Sequence, residues 1–101
     1  MKKYRIFFKP EAKTDMDTLY LYIADELMSP KTADNYIDGI IEKIESLMFT
    51  AEIYAINPRE YIQRLYGPEA RTIIYKKMTI IYKVEGENVM ISRIIPSAMI
   101  F

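Results

Sequence analysis

Between Ala70 and Ile95 three short runs, RTIIY (71–75), MTIIYKV (78–84) and NVMISRII (88–95), are rich in Ile, Val, Tyr and Thr. β-Branched and aromatic residues fit a pleated, half-buried surface, so these runs predict consecutive strands. Only a Lys76-Lys77 step and the segment Glu85 to Asn88 separate them, which makes neighbours antiparallel and the C-terminal third a meander. A fourth run of the same kind, Tyr4 to Lys9, is stopped by Pro10. It has no sequence neighbour to pair with, so it must join the meander and make the sheet an assembly of chain ends.

The periodicity then changes. From Glu11 to Met28, Ala12, Met16, Leu19, Tyr20, Ile23 and Leu27 fall at the three-and-four spacing of one helical face, with Glu11, Asp15 and Asp17 near the positive end of the dipole. Leu21 and Tyr22 widen the stripe, so this helix is expected to be covered on more than one side. Ser29-Pro30 supplies an N-cap and a first helical residue. A second helix follows from Pro30 to about Met48, with Ala33, Tyr36, Ile37, Ile40, Ile41, Ile44, Leu47 and Met48 on one face. So short a link predicts an antiparallel helical hairpin.

The connector from Phe49 to Pro68 has no sustained period and contains the turn signals Asn57-Pro58 and Gly67-Pro68. One short helical turn is expected around Arg59 to Leu65, and four aromatics, Phe49, Tyr54, Tyr61 and Tyr66, predict that the segment packs on the body. Together these elements define an α+β domain spanning residues 1–101. An antiparallel helical hairpin lies on one face of a mainly antiparallel four-stranded sheet, and the other face is less covered.

Composition narrows the chemistry. The chain has no cysteine and no histidine, which removes disulfides, thiol nucleophiles, Cys/His zinc sites and the Ser-His-Asp arrangement. No apolar run approaches the ~20 residues of a membrane span, and the apolar part of the first ten residues, Ile6 to Phe8, is too short for a signal-peptide core. A cytoplasmic location, with no cofactor, no metal and no membrane partner, is expected. Net charge is zero, but residues 1–10 carry +4, residues 11–52 carry −7 and residues 53–101 carry +3. That asymmetry bears on partners, or simply keeps acidic helix surfaces soluble.

With the elements in place, the chain resembles the RelE/ParE superfamily of bacterial type II toxins, which includes plasmid stabilisation proteins. The resemblance covers nearly the whole length. It rests on YRIFFKPEAKTDMDTLYLYIADEL, with its strand, Pro-x-Ala step and helix, on Ser29-Pro30 followed by Ala33, and on TIIYKV...ENVMISRII. It implies a growth-inhibiting toxin neutralised by a cognate antitoxin. RelE-like members cut mRNA on the ribosome with basic and tyrosyl residues, whereas ParE-like members inhibit DNA gyrase.

RNA cleavage without a metal needs a base for the 2′-hydroxyl, cations for the phosphorane-like state and an acid for the leaving oxygen. The available cast is Arg71, Tyr75, Lys76, Lys77, Tyr82, Lys83 and Arg93. Clustered cations at Tyr75-Lys76-Lys77 could lower a lysine pKa, or could merely solubilise a hairpin. Arg71 and Arg93 would bind a phosphate or an antitoxin carboxylate equally well.

The departures from the nuclease pattern point elsewhere. Ribonuclease-type relatives resemble one another in a basic or His-containing tail, whereas this chain ends Pro96-Ser97-Ala98-Met99-Ile100-Phe101, and Thr79 stands where RelE-like enzymes place an arginine. A neutral chain also lacks the basic face that RNA binders use. The expectation is a ParE-like binding inhibitor, with Arg71, Lys76, Lys77, Arg93, Met99 and Phe101 as candidate partner-binding residues. Two alternatives remain open, a ribosome-dependent mRNA endonuclease and a degenerate toxin that only binds its antitoxin. The apolar tail Ala98-Met99-Ile100-Phe101 is read either as a last strand segment tucked into the core or as an exposed anchor.

Overall fold

The hydrophobic stripes of two helices and one face of a sheet are turned toward each other, and they bury the larger of two cores. The computed structural model describes residues 3–100. Helix α1 (Pro10–Glu26) starts at extended Lys9 with Pro10 preorganised in its first turn. Helix α2 (Pro30–Glu45) is capped by Ser29, whose hydroxyl accepts from the Thr32 N–H at 3.3 Å. Between them Met28 takes a left-handed φ of 49°, which closes the link. The expected run to Met48 is interrupted at Ser46, whose hydroxyl donates to the Lys43 carbonyl at 2.5 Å and competes with the helical ladder. The chain then resumes as α3 (Leu47–Thr50).

Strands β1 (Arg5–Phe8), β2 (Arg71–Tyr75), β3 (Met78–Glu85) and β4 (Asn88–Pro96) form one sheet in the order β1-β4-β3-β2. The meander is antiparallel as expected, and β1 joins it at β4. That pairing is parallel, because the intervening helices return the chain to the same end of the sheet. Ala12 of α1, Ile40 and Ile44 of α2, and Leu47 and Ala51 meet Ile73, Ile80, Tyr82, Val89, Ile91 and Ile94 from the sheet.

The opposite sheet face is not left bare. The short helix expected in the connector is α4 (Glu60–Tyr66), and its Ile62 packs with Ala70, Ile81 and Ile95 in a second, smaller cluster flanked by Tyr61, Tyr66 and Ile100. Which side chains of β4 reach which cluster is set by a one-residue shift in its register against β3. Ile81 faces Arg93 and Tyr82 faces Ile91, so Ser92 is the extra residue of a β-bulge. Strict alternation would send Arg93 into the main core with Val89 and Ile91. The bulge instead sends Ile94 there and turns Arg93 and Ile95 to the other face.

Beyond Phe8, β1 gives way to α1 and no longer flanks β4. Its last rung is the Lys9 N–H to the Ile91 carbonyl at 2.9 Å. Asp15 of α1 takes over from there. Its carboxylate accepts from the Ile94 N–H at 2.9 Å and from the Arg93 Nε and Nη2 at 2.7 and 3.0 Å, so one side chain satisfies an exposed strand edge and the guanidinium beside it.

Beyond Pro96, where β4 ends, the described part of the tail adopts neither a strand nor a free anchor form. Ser97–Met99 form a 3-10 turn, the Ser97 N–H donates to the Lys77 carbonyl at 2.8 Å, and the Ser97 and Thr79 hydroxyls lie 2.7 Å apart. Ile100 joins the second cluster while Met99 is exposed. Phe101 and Lys2 lie outside the described residues.

Replacing Asp15 by alanine strands a strand-edge amide and a half-buried guanidinium. Urea unfolding of Asp15→Ala should show a loss of about 2–3 kcal/mol, the scale of hydrogen bonds to a charged group, with Asp15→Asn recovering part of it. A loss below about 0.5 kcal/mol, the level of an ordinary surface change, would contradict this role.

Candidate functional site

The basic and tyrosyl residues of the meander are dispersed by the fold rather than gathered. Arg71 opens β2 opposite Tyr82. Its Nη1 donates to the carbonyls of Tyr54 and Glu52, which ties the connector after α3 to the sheet. A shallow cleft of about 350 Å³ opens beside it, lined by Glu52, Ile56, Glu69, Arg71, Val84 and Gly86. Two carboxylates flank the arginine there, and Glu52 also accepts from the Tyr4 hydroxyl at 2.5 Å.

At the other end of β2, about 13 Å away along an extended strand, Lys76 turns the hairpin with a left-handed φ of 52°. Its ammonium folds back over the rings of Tyr36 and Tyr75, 5.3 and 5.5 Å from their centroids, and these rings meet edge to face at 5.3 Å and 87°. The Tyr75 hydroxyl occupies the space where a side chain on Gly39 of α2 would begin, 1.9 Å from an ideal Cβ. Glycine at this helix-interior position is thus what admits the aromatic pair. Lys77 is exposed, whereas the Lys76 ammonium is drawn onto Tyr36 of α2.

Tyr82 is fully buried in the main core, and its hydroxyl donates to the Ala51 carbonyl at 2.7 Å. Arg93 lies on the opposite sheet face in its fork with Asp15, which together with the neighbouring Tyr66 hydroxyl raises its already high pKa. Met99 is exposed on the tail turn. The candidates therefore divide among both ends of β2, the interior and the second face. Thr79, read in the sequence as a departure from the nuclease pattern, is buried and bonded to Ser97. Lys83 extends beside Gly67, 3.3 Å from an ideal Cβ there.

One surface went unassigned in the sequence. Leu21, Tyr22 and Leu27, expected to be covered, are 57, 62 and 61% exposed near the tip of the helical hairpin, and Met28 beside them is 87% exposed. The widened stripe at Leu21 and Tyr22 was the signal for it, and no element among the described residues covers it. Phe49, Ile53 and Ile56 are also exposed apolar side chains, and Ile56 lines the Arg71 cleft. Near the tip, Tyr20 of α1 meets Asp34 of α2, whose charge, with lesser contributions from burial and a hydrogen bond, raises the tyrosine pKa. Among the described residues no group of three His, Cys, Asp or Glu side chains could hold a metal ion, and no helix is long and apolar enough to cross a membrane.

A helical hairpin on a four-stranded sheet, with the N-terminal strand at one edge beside the C-terminal strand, is a fold shared with solved structures of toxin–antitoxin systems. The structure of the chromosomal ParDE system of P. aeruginosa matches with a TM-score of 0.77 and 23% identity, over 93% of this chain and 96% of that one. The RelBE2 toxin–antitoxin complex of Mycobacterium tuberculosis matches with a TM-score of 0.64 and 13% identity, over 93% of this chain and 98% of that one. No curated protein sequence matches. The sequence profile of the ParE toxin of the type II toxin–antitoxin system parDE matches residues 6–101, and the chain belongs to that family.

Burial pushes the Tyr82 hydroxyl up to about 12, with Arg71 opposing the shift. A tyrosine that ionises at about 10 when unfolded and higher when folded keeps its full contribution below pH 10. Above that pH the unfolded state loses its proton first, so stability falls until the folded pKa is passed, by about 2–3 kcal/mol in all. Unfolding between pH 9 and 12 should show this loss in the native chain and its absence in Tyr82→Phe. Parallel curves for the two proteins would contradict it.

Proposed function

We propose that this ParE-type toxin inhibits growth as a binding inhibitor of an essential cytoplasmic target such as DNA gyrase, and that a cognate antitoxin neutralises it. The observation that carries this reading is the commitment of the sheet's cationic and tyrosyl groups to structural contacts. Arg71 clamps a connector, Lys76 stacks on two tyrosines, Tyr82 is buried, and Arg93 is forked to Asp15. General acid–base cleavage needs its groups within reach of one reacting phosphate, and this distribution favours binding.

Binding has better material. The hairpin tip presents four large apolar side chains, and Asp17, Asp25 and Glu26 are exposed on the same helix. Exposed apolar groups rimmed by charge are typical of protein docking surfaces. We assign this tip to the antitoxin. Phe49, Ile53 and Ile56, with Arg71 nearby, and Lys77 and Met99 at the tail end of the sheet, remain available for the target.

Purified toxin should abolish gyrase supercoiling, and added antitoxin should restore it. Normal supercoiling at saturating toxin would remove gyrase as the target. Met28→Glu should weaken the antitoxin complex about tenfold or more in a titration, the scale of losing one well-packed interface residue, without lowering thermal stability. Unchanged affinity would move the antitoxin site away from the tip.

A further inference from the structure

The second face of the sheet is covered on one side only. Ile62 of α4 packs there on Ala70, Ile81 and Ile95. Toward β1 the same face is open. Strand β1 sends Ile6 and Phe8 to the main core, so Arg5 and Phe7 point to the second face, and extended Lys9 (φ −69°, ψ 153°) continues the alternation. Phe7 lies beside Met90 of β4, and Met90 lies opposite Lys83 of β3. Among the described residues neither Phe7 nor Met90 joins a buried cluster, and Phe7 is 45% exposed.

Cations ring this pair. Arg5 and Lys9 stand on either side of Phe7 along β1, Lys83 closes the row across the sheet, and Arg93 occupies the next rung of the same face, opposite Ile81. The carboxylates on these rungs are Asp15, already forked to Arg93, and Glu85, two positions along β3 from Lys83. The face is therefore net cationic around an exposed aromatic ring and a thioether. Aromatic residues, Met and Arg are the types enriched where proteins dock.

The chain also carries the complement of this face. On the outer side of α1, exposed Leu21 and Tyr22 lie one helical turn from Asp17 on one side and from Asp25 and Glu26 on the other, and Met28 extends the apolar strip. Lys31 and Asp34 at the start of α2 offset each other, so the tip stays anionic. The 17 residues of α1 separate the two surfaces, about 25 Å of rigid helix, so they cannot meet within one molecule. We propose that the acidic, apolar hairpin tip of one copy docks on the basic face around Arg5, Phe7 and Met90 of a second copy. The contact is heterologous: each dimer keeps one free tip and one free face, and further copies add head to tail. Opposite charge sets the orientation, and docking removes from water an apolar strip that a lone molecule exposes. The tip then has two mutually exclusive occupants, the antitoxin and another toxin, and only the first rests on the assignment of the antitoxin to the tip.

Sedimentation velocity of the purified full-length protein, with no antitoxin present, tests the contact. The weight-average sedimentation coefficient should rise through the micromolar concentration range and fall back as added salt screens the charges. Asp25→Lys/Glu26→Lys, which breaks the tip, and Phe7→Ser, which breaks the face, should each weaken association about tenfold or more, with circular dichroism and thermal midpoint unchanged. Mixed in equal amounts, the two variants should form dimers and nothing larger, because each keeps the surface that the other lacks. Exposed Arg5→Glu replaces Phe7→Ser should loss of the ring disturb β1. A native chain that stays monomeric at every concentration would overturn the proposal. So would variants that associate as the native chain does, or a mixture as monomeric as its parts.

Discussion

The Asp15 carboxylate is the point on which this architecture turns. A four-stranded sheet whose central strand β4 is longer than its neighbour β1 must satisfy the amides of β4 that outrun it. The chain solves this by bending from β1 directly into α1 at Pro10, which places a helical carboxylate against the uncovered edge at Ile94. The same oxygens fork onto Arg93, which the bulge at Ser92 has turned out of the main core. Helix position, strand register and the orientation of the sheet's one forked arginine are thus set together. Burying β-branched residues drives collapse on both faces, but the shared polar contact specifies which residues of β4 face which core.

This coupling explains how far the sequence could be read. The helices were visible because α1 and α2 repeat apolar residues at helical spacing, and the meander because turn chemistry interrupts runs of Ile, Val, Tyr and Thr. The short helix around Arg59 to Leu65 was also anticipated, and it sits one residue later at Glu60–Tyr66. The bulge could not be read, because an extra residue leaves no mark in a run such as NVMISRII. Without it, the faces of Arg93, Ile94 and Ile95 cannot be assigned. The role of Asp15 was hidden for a related reason: an acid in the first half of a helix is explained locally by the dipole, so nothing in the sequence asks for a distant partner.

The candidate site was legible as a set of residue types but not as geometry. Tyr82 alternates correctly with Ile80 and Val84, which marks it as a core position, yet its hydroxyl made it look chemical. Lys76 and Lys77 are adjacent in sequence, but the hairpin turn lays Lys76 on Tyr36 of α2. Local readings identify groups that could act. Only the tertiary contacts of α2, α3 and α4 with the sheet show that several are already engaged.

The proposal of a binding inhibitor requires that these engaged side chains stabilise the fold and do not assemble into an active centre. Primer extension on mRNA from programmed ribosomes incubated with stoichiometric purified toxin addresses it most directly. Full-length message at every toxin concentration that arrests growth is the result predicted by the dispersed geometry. Cuts at the A-site codon that vanish in Lys76→Ala/Lys77→Ala would contradict it, and would mean that the tyrosine-stacked lysine leaves its aromatic pair to act on RNA.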